Sequence, residues 1–338
     1  MTAIITNRMH VKDGANYKFM KQVENNSDAC EVIDACCDDR DKSPLVFHRL
    51  TFNSIPLIIP YLERSGSLSC DYTIGGIYMW TEYFKYHYCI YENTLFIKGV
   101  AEDDTRKTAF SLPIGRLPLS ESVRLLGEYC RQHGLPLVFS AIPEEHIKEF
   151  EALNPAGVTR LDEWGDYVYD AESLATLAGN KLKKKRNRVN KFVLTYPNHE
   201  VKPITQENLP EIKEFYARLI KTKDDEGMAA YERRQVANVL KNYGNYPFEG
   251  LVLTVEGKVV AFSVGEVIGD TLYDHIEKTD HDYVGANEFI NMSMVKYCLE
   301  RHGIRYVNRE DDAGDEGLKQ AKLAYNPIIF LNKYNVSF

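Results

Sequence analysis

The chain reads 125-LLGEYCRQHG-134 in its first half and 294-MVKYCLERHG-303 in its second, and this repeated stretch decides the fold. Both copies predict an amphipathic helix that ends at His-Gly, where glycine adopts the left-handed conformation of a C-cap. An apolar strand follows each copy at once, 135-LPLVF-139 and 304-IRYVN-308. Because duplicated units commonly hold a ligand between them, the repeat predicts a groove between the two halves.

A strand–turn–strand pattern precedes each copy of the helix. It covers Tyr88–Tyr91 with Thr94–Val100 in the first half, and Leu251–Val255 with Val259–Val267 in the second. The whole second half reads as a strand, two helices, three antiparallel strands, a helix, a strand, a helix and closing strands. This order resembles the GNAT acyltransferase fold. We therefore predict an α+β protein with two tandem GNAT-like units, each a mixed, mostly antiparallel sheet flanked by helices.

The predicted organisation has four parts. Residues 1–44 form an N-terminal extension of unknown order, and residues 45–175 form the first GNAT-like unit. Residues 176–195 form a basic connecting helix, and residues 196–338 form the second unit. The alternating strand Asp166–Asp170 is predicted to close the first unit.

The composition indicates a soluble globular protein that does not insert into a membrane. The chain is 44% hydrophobic and 27% charged with a net charge of −8, and proline or charge interrupts its longest apolar runs. Its seven cysteines are odd in number and include no CxxC motif, which disfavours a disulfide framework and a four-ligand zinc site. We therefore expect a cytoplasmic protein with no metal and no tightly bound cofactor.

A strongly basic segment separates the two predicted units. Seven of the eleven residues from Lys181 to Lys191 are cationic, and Leu182, Val189 and Phe192 fall on one helical face. Such a run in an acidic chain predicts contact with a polyanion, such as tRNA. The predicted contacts are Lys183, Lys184, Lys185, Arg186 and Arg188. The alternative is a solvated helix whose side-chain stems cover apolar surface.

The strand 271-TLYDHIEK-278 contains a candidate catalytic base. Its alternation predicts that Tyr273, His275 and Glu277 share one face. In a GNAT unit this strand borders the cleft where the acyl donor meets the acceptor amine. Acyl transfer needs a base to take the ammonium proton, and His275 or Glu277 can serve in that role. The alternative is a structural histidine bonded to a neighbour.

The segment 308-NREDDAGDEG-317 leaves a strand and opens a helix. Arg309 can clamp a carboxylate or phosphate, while the acids beside it can hold an ammonium group. This mixture predicts a site for an amino-acid-like substrate, with Asn308, Arg309 and Asp311 as binding residues and Glu310 as a catalytic candidate. The alternative is that the acids only cap the helix and interact with its dipole.

The helix that follows carries three further candidates. Lys319 and Lys322 are three residues apart and share a face, and Tyr325 lies three residues further on. We predict that the two lysines bind substrate. Many GNAT enzymes use a tyrosine near this point to protonate the departing group, which makes Tyr325 a catalytic candidate. The alternative for Tyr325 is a core aromatic residue.

The turn 279-TDHDYVGAN-287 lies where GNAT enzymes seat the coenzyme A pyrophosphate on a basic or Gln residue and a Gly-rich turn. Here Asp280 and Asp282 oppose a diphosphate, and only one glycine is present. The first unit offers 112-LPIGR-116, which supplies no such turn either. Both units are therefore predicted to bind acetyl-CoA poorly.

Five stretches resemble one soluble bacterial family: 166-DYVYD-170, 184-KKRN-187, 275-HIEK-278, 308-NRED-311 and 317-GLKQAKLAYNP-327. This family of unknown function is related to the C-terminal domain of phosphatidylglycerol lysyltransferase, and the resemblance runs from about Leu45 to the end. It implies kinship with transferases that take an aminoacyl group from a charged tRNA, including the Fem-type peptidoglycan enzymes.

The resemblance also implies an active site at Gly317, Leu318, Lys319 and Lys322. Relatives usually have arginine in place of Lys319, so bidentate recognition of an oxyanion is not expected there. The large membrane domain of the lipid-modifying relatives is missing from this sequence, which favours a soluble acceptor over a phospholipid.

Three functions are compatible with these observations. The preferred one is a transferase that moves an aminoacyl or acyl group, with aminoacyl-tRNA as donor, to an amine or hydroxyl of a small-molecule or peptidic acceptor. The second is a non-catalytic tandem GNAT scaffold that binds an anionic metabolite or RNA. The third is a coenzyme A-dependent N-acetyltransferase, which requires acyl-CoA to bind without the usual turn.

Overall fold

Two mixed sheets flanked by helices make up the fold of the described residues. The computed structural model describes residues 43–338 except residues 222, 224 and 225, so almost all of the predicted N-terminal extension lies outside the described residues. The α+β class and the two tandem GNAT-like units are confirmed, because each sheet contains antiparallel strands followed by one parallel pair. We call each sheet with its packed helices a lobe.

The helices follow the predicted order closely. The two repeated helices end as predicted, because Gly134 and Gly303 have φ values of 64° and 66° in the left-handed region. The bounds are α1 Ile55–Leu62, α2 Ile74–Trp80, α3 Leu119–His133, α4 Ile147–Glu151, α5 Ala171–Thr176, α6 Lys183–Thr195, α7 Leu209–Ile220, α8 Gly227–Lys241, α9 Ala286–His302 and α10 Glu316–Leu323.

The strands divide into two sheets. Those of the first half are β1 His48–Arg49, β2 His87–Tyr91, β3 Thr94–Val100, β4 Thr108–Phe110, β5 Ile114–Gly115, β6 Val138–Pro143, β7 Gly157–Arg160 and β8 Asp166–Asp170. Those of the second half are β9 His199–Pro203, β10 Glu249–Val255, β11 Lys258–Ile268, β12 Thr271–Thr279, β13 Tyr306–Asn308, β14 Ile329–Leu331 and β15 Lys333–Ser337. The first sheet has the order β1-β2-β3-β4-β6-β15-β7 with β5 beside β3, and the second has the order β14-β8-β13-β12-β11-β10-β9.

One strand from each half of the chain belongs to the sheet of the other half. The strand β8 lies between β13 and β14 in the second sheet, so the prediction that it closes the first sheet is wrong. In return, β15 lies between β6 and β7 in the first sheet. The bounds of β8 are as predicted, but strand pairing depends on partners more than 130 residues away, which local periodicity does not report.

The second sheet opens between two parallel strands. The strands β12 and β13 pair only from Thr271 with Tyr306 to Tyr273 with Asn308. Beyond this point β12 continues to Thr279, whereas the chain after Asn308 turns into a loop. We call the space between them the strand gap; it is the cleft expected of a GNAT unit.

A β-bulge lies at His275, on the edge of the strand gap. In the pairing of β11 with β12, Val264 is opposite Ile276 and Gly265 is opposite Asp274, so His275 is the extra residue. The bulge reverses the alternation that follows. Glu277 therefore contacts Asn291 of α9, as Asp274 does, and the prediction that it shares the face of His275 is wrong.

An apolar core continues from the first lobe into the second. It contains residues of both lobes, and aromatic rings of α2 and its surroundings pack against the region of α8. The rings of Trp80 and Tyr231 stack at 5.6 Å, and those of Tyr78 and Tyr246 lie 4.7 Å apart. Apolar packing therefore fills much of the interface where the repeat predicted a ligand groove.

Candidate functional site

Two ion pairs span the strand gap. His275 Nδ1 lies 2.7 Å from Glu310 Oε1, and Arg309 Nη2 lies 3.1 Å from Glu277 Oε2. Each pair joins a side chain of β12 to a side chain of the loop after β13. The structure thus brings together three predicted site residues, His275, Arg309 and Glu310, at the strand gap.

His275 is held between two carboxylates. Its Nε2 lies 2.8 Å from Glu266 Oε1, and its side chain is only 1% exposed. Burial lowers the pKa of His275, but the hydrogen bonds to Glu266 and Glu310 outweigh burial and raise this pKa to about 10. The ring is therefore an imidazolium near neutral pH and has no free lone pair with which to accept a proton. This geometry favours a structural or positioning role over the predicted role of a base.

Glu266 links the strand gap to the first lobe. Its carboxylate accepts hydrogen bonds from the backbone N–H groups of Gly75, at 2.6 Å, and Ile74, at 3.3 Å. These are the first residues of α2, so the carboxylate also faces the positive end of a helix. A Cβ added at Gly75 would lie 2.4 Å from the His275 ring, which shows how closely α2 approaches this site.

Arg309 lies within a cluster of carboxylates. Besides Glu277, its Nε lies 3.9 Å from Asp274 Oδ2, and only 13% of its side chain is exposed. Burial and the neighbouring Glu277 raise the pKa of Asp274 to about 7. Asn291 donates a hydrogen bond of 2.9 Å to Glu277. The cluster therefore contains a carboxyl group that changes protonation near neutral pH.

Tyr325 lies beneath two cations. Lys185 Nζ is 4.0 Å from the centre of its ring, and the Arg309 guanidinium carbon is 4.7 Å away. Its hydroxyl is buried and has no hydrogen-bond partner among the described residues. Burial raises the pKa of Tyr325 above its ordinary value, so the hydroxyl keeps its proton and remains a possible donor.

Lys322 fastens the loop that carries Arg309 and Glu310. Its Nζ donates a hydrogen bond of 2.6 Å to the Arg309 carbonyl and a second one to the Asp311 carbonyl. Burial lowers the pKa of Lys322. The loop needs such support because Glu310 has a left-handed φ of 59°. Lys319, by contrast, is exposed on the outer side of α10.

Asn308 connects the loop to a second buried polar group. Its Oδ1 accepts a hydrogen bond of 2.6 Å from the Glu310 N–H, and its Nδ2 donates one of 2.8 Å to Asp166. Asp166 also pairs with Lys333 Nζ at 2.8 Å, and Lys333 pairs with Asp71 at 2.7 Å. The loop after β13 is thus anchored to β15, a strand of the first sheet.

Three side chains of the same buried group are of the types that bind metal ions. The ligand atoms of Cys70, Asp166 and Asp311 lie within 4.8 Å of one another. Lys333 Nζ lies 2.8 Å from Asp166 and 3.7 Å from Cys70 Sγ, so an ammonium group already supplies positive charge there. Burial raises the pKa of Asp311 to about 7, although Lys333 and Lys322 oppose this shift.

The cations of α6 divide into two sets. Lys185 and Arg188 pair with Glu288 of α9, at 3.4 Å and 2.7 Å, and Arg186 donates to the carbonyl groups of Leu177 and Gly179. Lys183 and Lys184 are exposed and form no ion pair within the part of the chain that the structure describes, and the same holds for Lys181 and Lys191. The predicted apolar face is confirmed, since Leu182, Val189 and Phe192 are buried.

Several residues of this site were missed in the sequence. Glu266, Asp274, Glu288 and Asp166 are buried charged residues that contact predicted site residues, and the buried Lys333 pairs with Asp166. The available signal was a charged residue within an otherwise apolar strand, as at Glu266 in 259-VVAFSVGEVI-268. A charged residue in an apolar strand can be recognised as buried only when the group that pairs with it is known, because buried charges require a partner.

Residues 62–337 match the family described as phosphatidylglycerol lysyltransferase, C-terminal. The chain belongs to this family. The match covers most of the chain and includes every candidate residue of the strand gap. It confirms the resemblance that the sequence motifs indicated, and it relates the chain to a family whose described member transfers a lysyl group.

Solved structures share the fold of this member of the phosphatidylglycerol lysyltransferase C-terminal family. A conserved protein of unknown function from Bacteroides thetaiotaomicron is 29% identical with a TM-score of 0.80, over 87% of this chain and 99% of that one. L-PGS from Bacillus licheniformis is 14% identical with a TM-score of 0.59, over 85% and 91%. FemX is 8% identical with a TM-score of 0.55, over 87% and 97%. The last two similarities concern the fold alone.

A curated relative is similar over part of its length. An uncharacterised protein of Mycoplasmoides gallisepticum is 24% identical over 177 residues, which are 51% of this chain and 55% of that protein. The chain thus spans about half the length of the curated relative that it matches. Among the described residues of this chain, every helix is too short or too polar to cross a bilayer.

Proposed function

We propose that this protein is a transferase that moves an aminoacyl or acyl group from a polyanionic donor, aminoacyl-tRNA, to an amine or hydroxyl of a soluble acceptor. One observation carries the proposal. The helix α6 contributes Lys185 to the strand gap, 4.0 Å above the Tyr325 ring, and also presents Lys183, Lys184 and Lys191 to solvent. A polyanion bound on the exposed cations would hold its attached acyl group beside Arg309 and Tyr325.

The charges at the strand gap suit the chemistry of acyl transfer. The acceptor amine attacks the carbonyl carbon of the donor ester, the ester C–O bond breaks, and the donor oxygen takes up a proton. Asp274, whose carboxyl lies 3.9 Å from Arg309 Nε and has a pKa of about 7, is the proposed acceptor for the ammonium proton. Arg309 is the proposed cation beside the developing oxyanion, and Tyr325 is the proposed proton donor.

His275 has a different role in this proposal. As an imidazolium it holds Glu310 in place and does not act as a base, because both of its nitrogens are already bonded to carboxylates. The carboxylates around Arg309 would bind the ammonium group of an aminoacyl donor or an amine acceptor. The family description supports this choice, since a lysyl group carries two amines.

The end of α9 supports a tRNA donor over acyl-CoA. In the usual acetyltransferase this helix N-terminus holds a diphosphate, but here Glu288 places a buried carboxylate in its first turn. A Cβ added at Gly285 would lie 2.6 Å from the Arg188 carbonyl, so α6 covers the turn. We therefore keep acyl-CoA as the less favoured donor and propose the cytoplasm, where charged tRNA occurs, as the location.

One observation favours a non-catalytic scaffold as the second candidate. The cations of the strand gap are already paired inside the protein: His275 with two carboxylates, and Arg309 with Glu277. His275 and Arg309 must break these ion pairs before they can contact a substrate. Binding of RNA on α6 without acyl transfer is the behaviour that this candidate predicts.

The test uses the full chain, tRNA charged with radiolabelled lysine and a mixture of soluble amines. The proposal predicts transfer of the label to an amine, and tighter binding at low salt. Reversing charge in Lys184→Glu with Lys191→Glu should weaken binding and lower the slope of log affinity against log salt by roughly 1 per lost phosphate contact. Lys213→Glu, an exposed lysine of α7, is the matched control and should change neither.

The outcomes separate the candidates. Binding that depends on α6 without any transfer supports the scaffold. Equal affinity of the α6 variant and the control removes the tRNA donor. Transfer from acyl-CoA with no response to the α6 substitutions would assign the protein to coenzyme A-dependent chemistry.

A further inference from the structure

An open pocket of about 170 Å³ lies where α5, the start of α6 and the end of α10 meet. Its floor contains the buried side chains of Tyr169, Leu182 and Tyr325. Its rim contains the exposed Ser173 and Asn180. The pocket is separate from the strand gap, and no residue on its rim was among the predicted site residues.

We infer that this pocket binds the terminal nucleoside of the donor RNA, an inference that rests on the proposed transferase function. The aminoacyl group of any charged tRNA is esterified to the terminal ribose. A protein that transfers this group must therefore accommodate the last nucleoside within a few ångströms of the reaction centre.

The chemistry of the pocket suits a single nucleobase. Its volume is below the roughly 300–1,000 Å³ of pockets that enclose whole drug-sized ligands, so it accepts one ring system. An apolar floor can cover the flat ring, while polar side chains at the rim reach the edges of a base. Among the described residues, the side chains of Ser173, Asn180 and Asn326 have no hydrogen-bond partner, which leaves them free for such contacts.

The position of the pocket suits the end of an aminoacylated RNA. Tyr325 contributes to the pocket and also lies beneath Arg309, 4.7 Å from its guanidinium carbon. One aromatic side chain thus separates the proposed base site from the proposed reaction centre.

The chain beside the pocket supplies charge for the phosphates. Lys181 lines the pocket, and Lys183 and Lys184 follow it along the chain after the buried Leu182. All three are exposed and form no ion pair within the described part of the chain. The base site and the cationic surface of α6 are therefore continuous, as a site for an RNA end requires.

The test compares two RNAs on the full-length protein: an uncharged tRNA transcript with its complete 3′ end, and the same transcript without the terminal nucleoside. Wild-type protein should bind the complete transcript roughly 5- to 150-fold more tightly, the range that corresponds to about 1–3 kcal/mol for stacking of one base. Ser173→Trp fills the pocket from its exposed rim and should abolish this difference while leaving the affinity for the truncated transcript unchanged.

Ser120→Trp makes the same change at an exposed position of α3 in the first lobe and should preserve the preference for the complete transcript. AMP is included as a competitor. Competition by AMP as strong as that by the complete transcript would assign the pocket to a free nucleotide and overturn the inference.

The failure of the inference is distinguishable from the failure of the proposed function. Equal binding of both transcripts, with affinity still lowered by the α6 substitutions, overturns the pocket assignment and leaves the tRNA donor intact. Absence of binding to either transcript overturns both. A preference that persists in Ser173→Trp also overturns the assignment, because the filled pocket then does not hold the nucleoside.

Discussion

Replacing Gly75 with alanine tests the contact between α2 and His275. The added Cβ would lie 2.4 Å from two ring atoms of His275, whereas ordinary contact begins at 3.4 Å, so the ring must move by about 1 Å. That movement lengthens the 2.8 Å hydrogen bond from His275 to Glu266 beyond hydrogen-bond range. The substitution therefore strains the two carboxylate contacts that position His275 at the strand gap.

The expected cost combines two terms. Overpacking a tight core costs about 1–3 kcal/mol, and losing a hydrogen bond to a charged group costs about 1.5–3 kcal/mol. The higher helix propensity of alanine returns at most about 1 kcal/mol. Gly75→Ala should therefore lower the free energy of unfolding by about 1.5–6 kcal/mol.

Gly127→Ala in α3 is the matched control. A Cβ at Gly127 meets its nearest neighbours at 3.6 Å and 3.7 Å, so only the helix-propensity gain of up to about 1 kcal/mol is expected. Urea denaturation of both variants measures the difference, and the pair should shift in opposite directions. Repeating Gly75→Ala in a His275→Ala background should remove most of its cost. An undiminished cost in that background would refute the proposed clash with the ring.

Two further predictions concern charge. The pKa of His275 is raised from 6.5 to about 10, so its stabilisation is complete below pH 6.5 and is lost as pH rises to 10, by up to about 5 kcal/mol. Denaturation at pH 6.5 and 9.5 should show this decline in the wild type and a flatter profile in His275→Gln, and parallel profiles would contradict it. Lys322→Met should cost about 2–4 kcal/mol, because it leaves two carbonyl groups unbonded, whereas the exposed Lys319→Met should change stability by less than about 0.5 kcal/mol. Thermal melting of the pair decides this point, and equal melting temperatures would show that Lys322 does not fasten the loop.

The local elements of this fold were readable from the sequence because periodicity and caps are short-range signals. The bounds of β8 are as predicted, and both His-Gly pairs end their helices. The sequence did not allow us to predict that β8 belongs to the second sheet. Its partners Tyr306 and Ile329 lie far along the chain, and a strand buried on both faces is equally suited to either sheet.

The candidate site could be predicted only in part, because its contacts also join residues that are far apart in the sequence. The loop from Asn308 to Asp311 was identified from its unusual mixture of charges, but the bulge at His275 changes which side chains share a face. Glu266 was missed because its partners are backbone N–H groups about 190 residues earlier. Tertiary contacts, not local pattern, also decide that Lys322 is buried and Lys319 exposed.

The exchange of β8 and β15 between the sheets has a consequence for synthesis of the protein. The strand β15 lies inside the first sheet, between β6 and β7. Within the described residues, the strand β7 therefore pairs with this sheet only through β15. The first lobe therefore cannot finish folding while Lys333–Ser337 is still inside the ribosome, even though most of its residues emerged long before. Neither half contains all the strands of its own sheet, and the two lobes complete their folding only once β15 has left the ribosome.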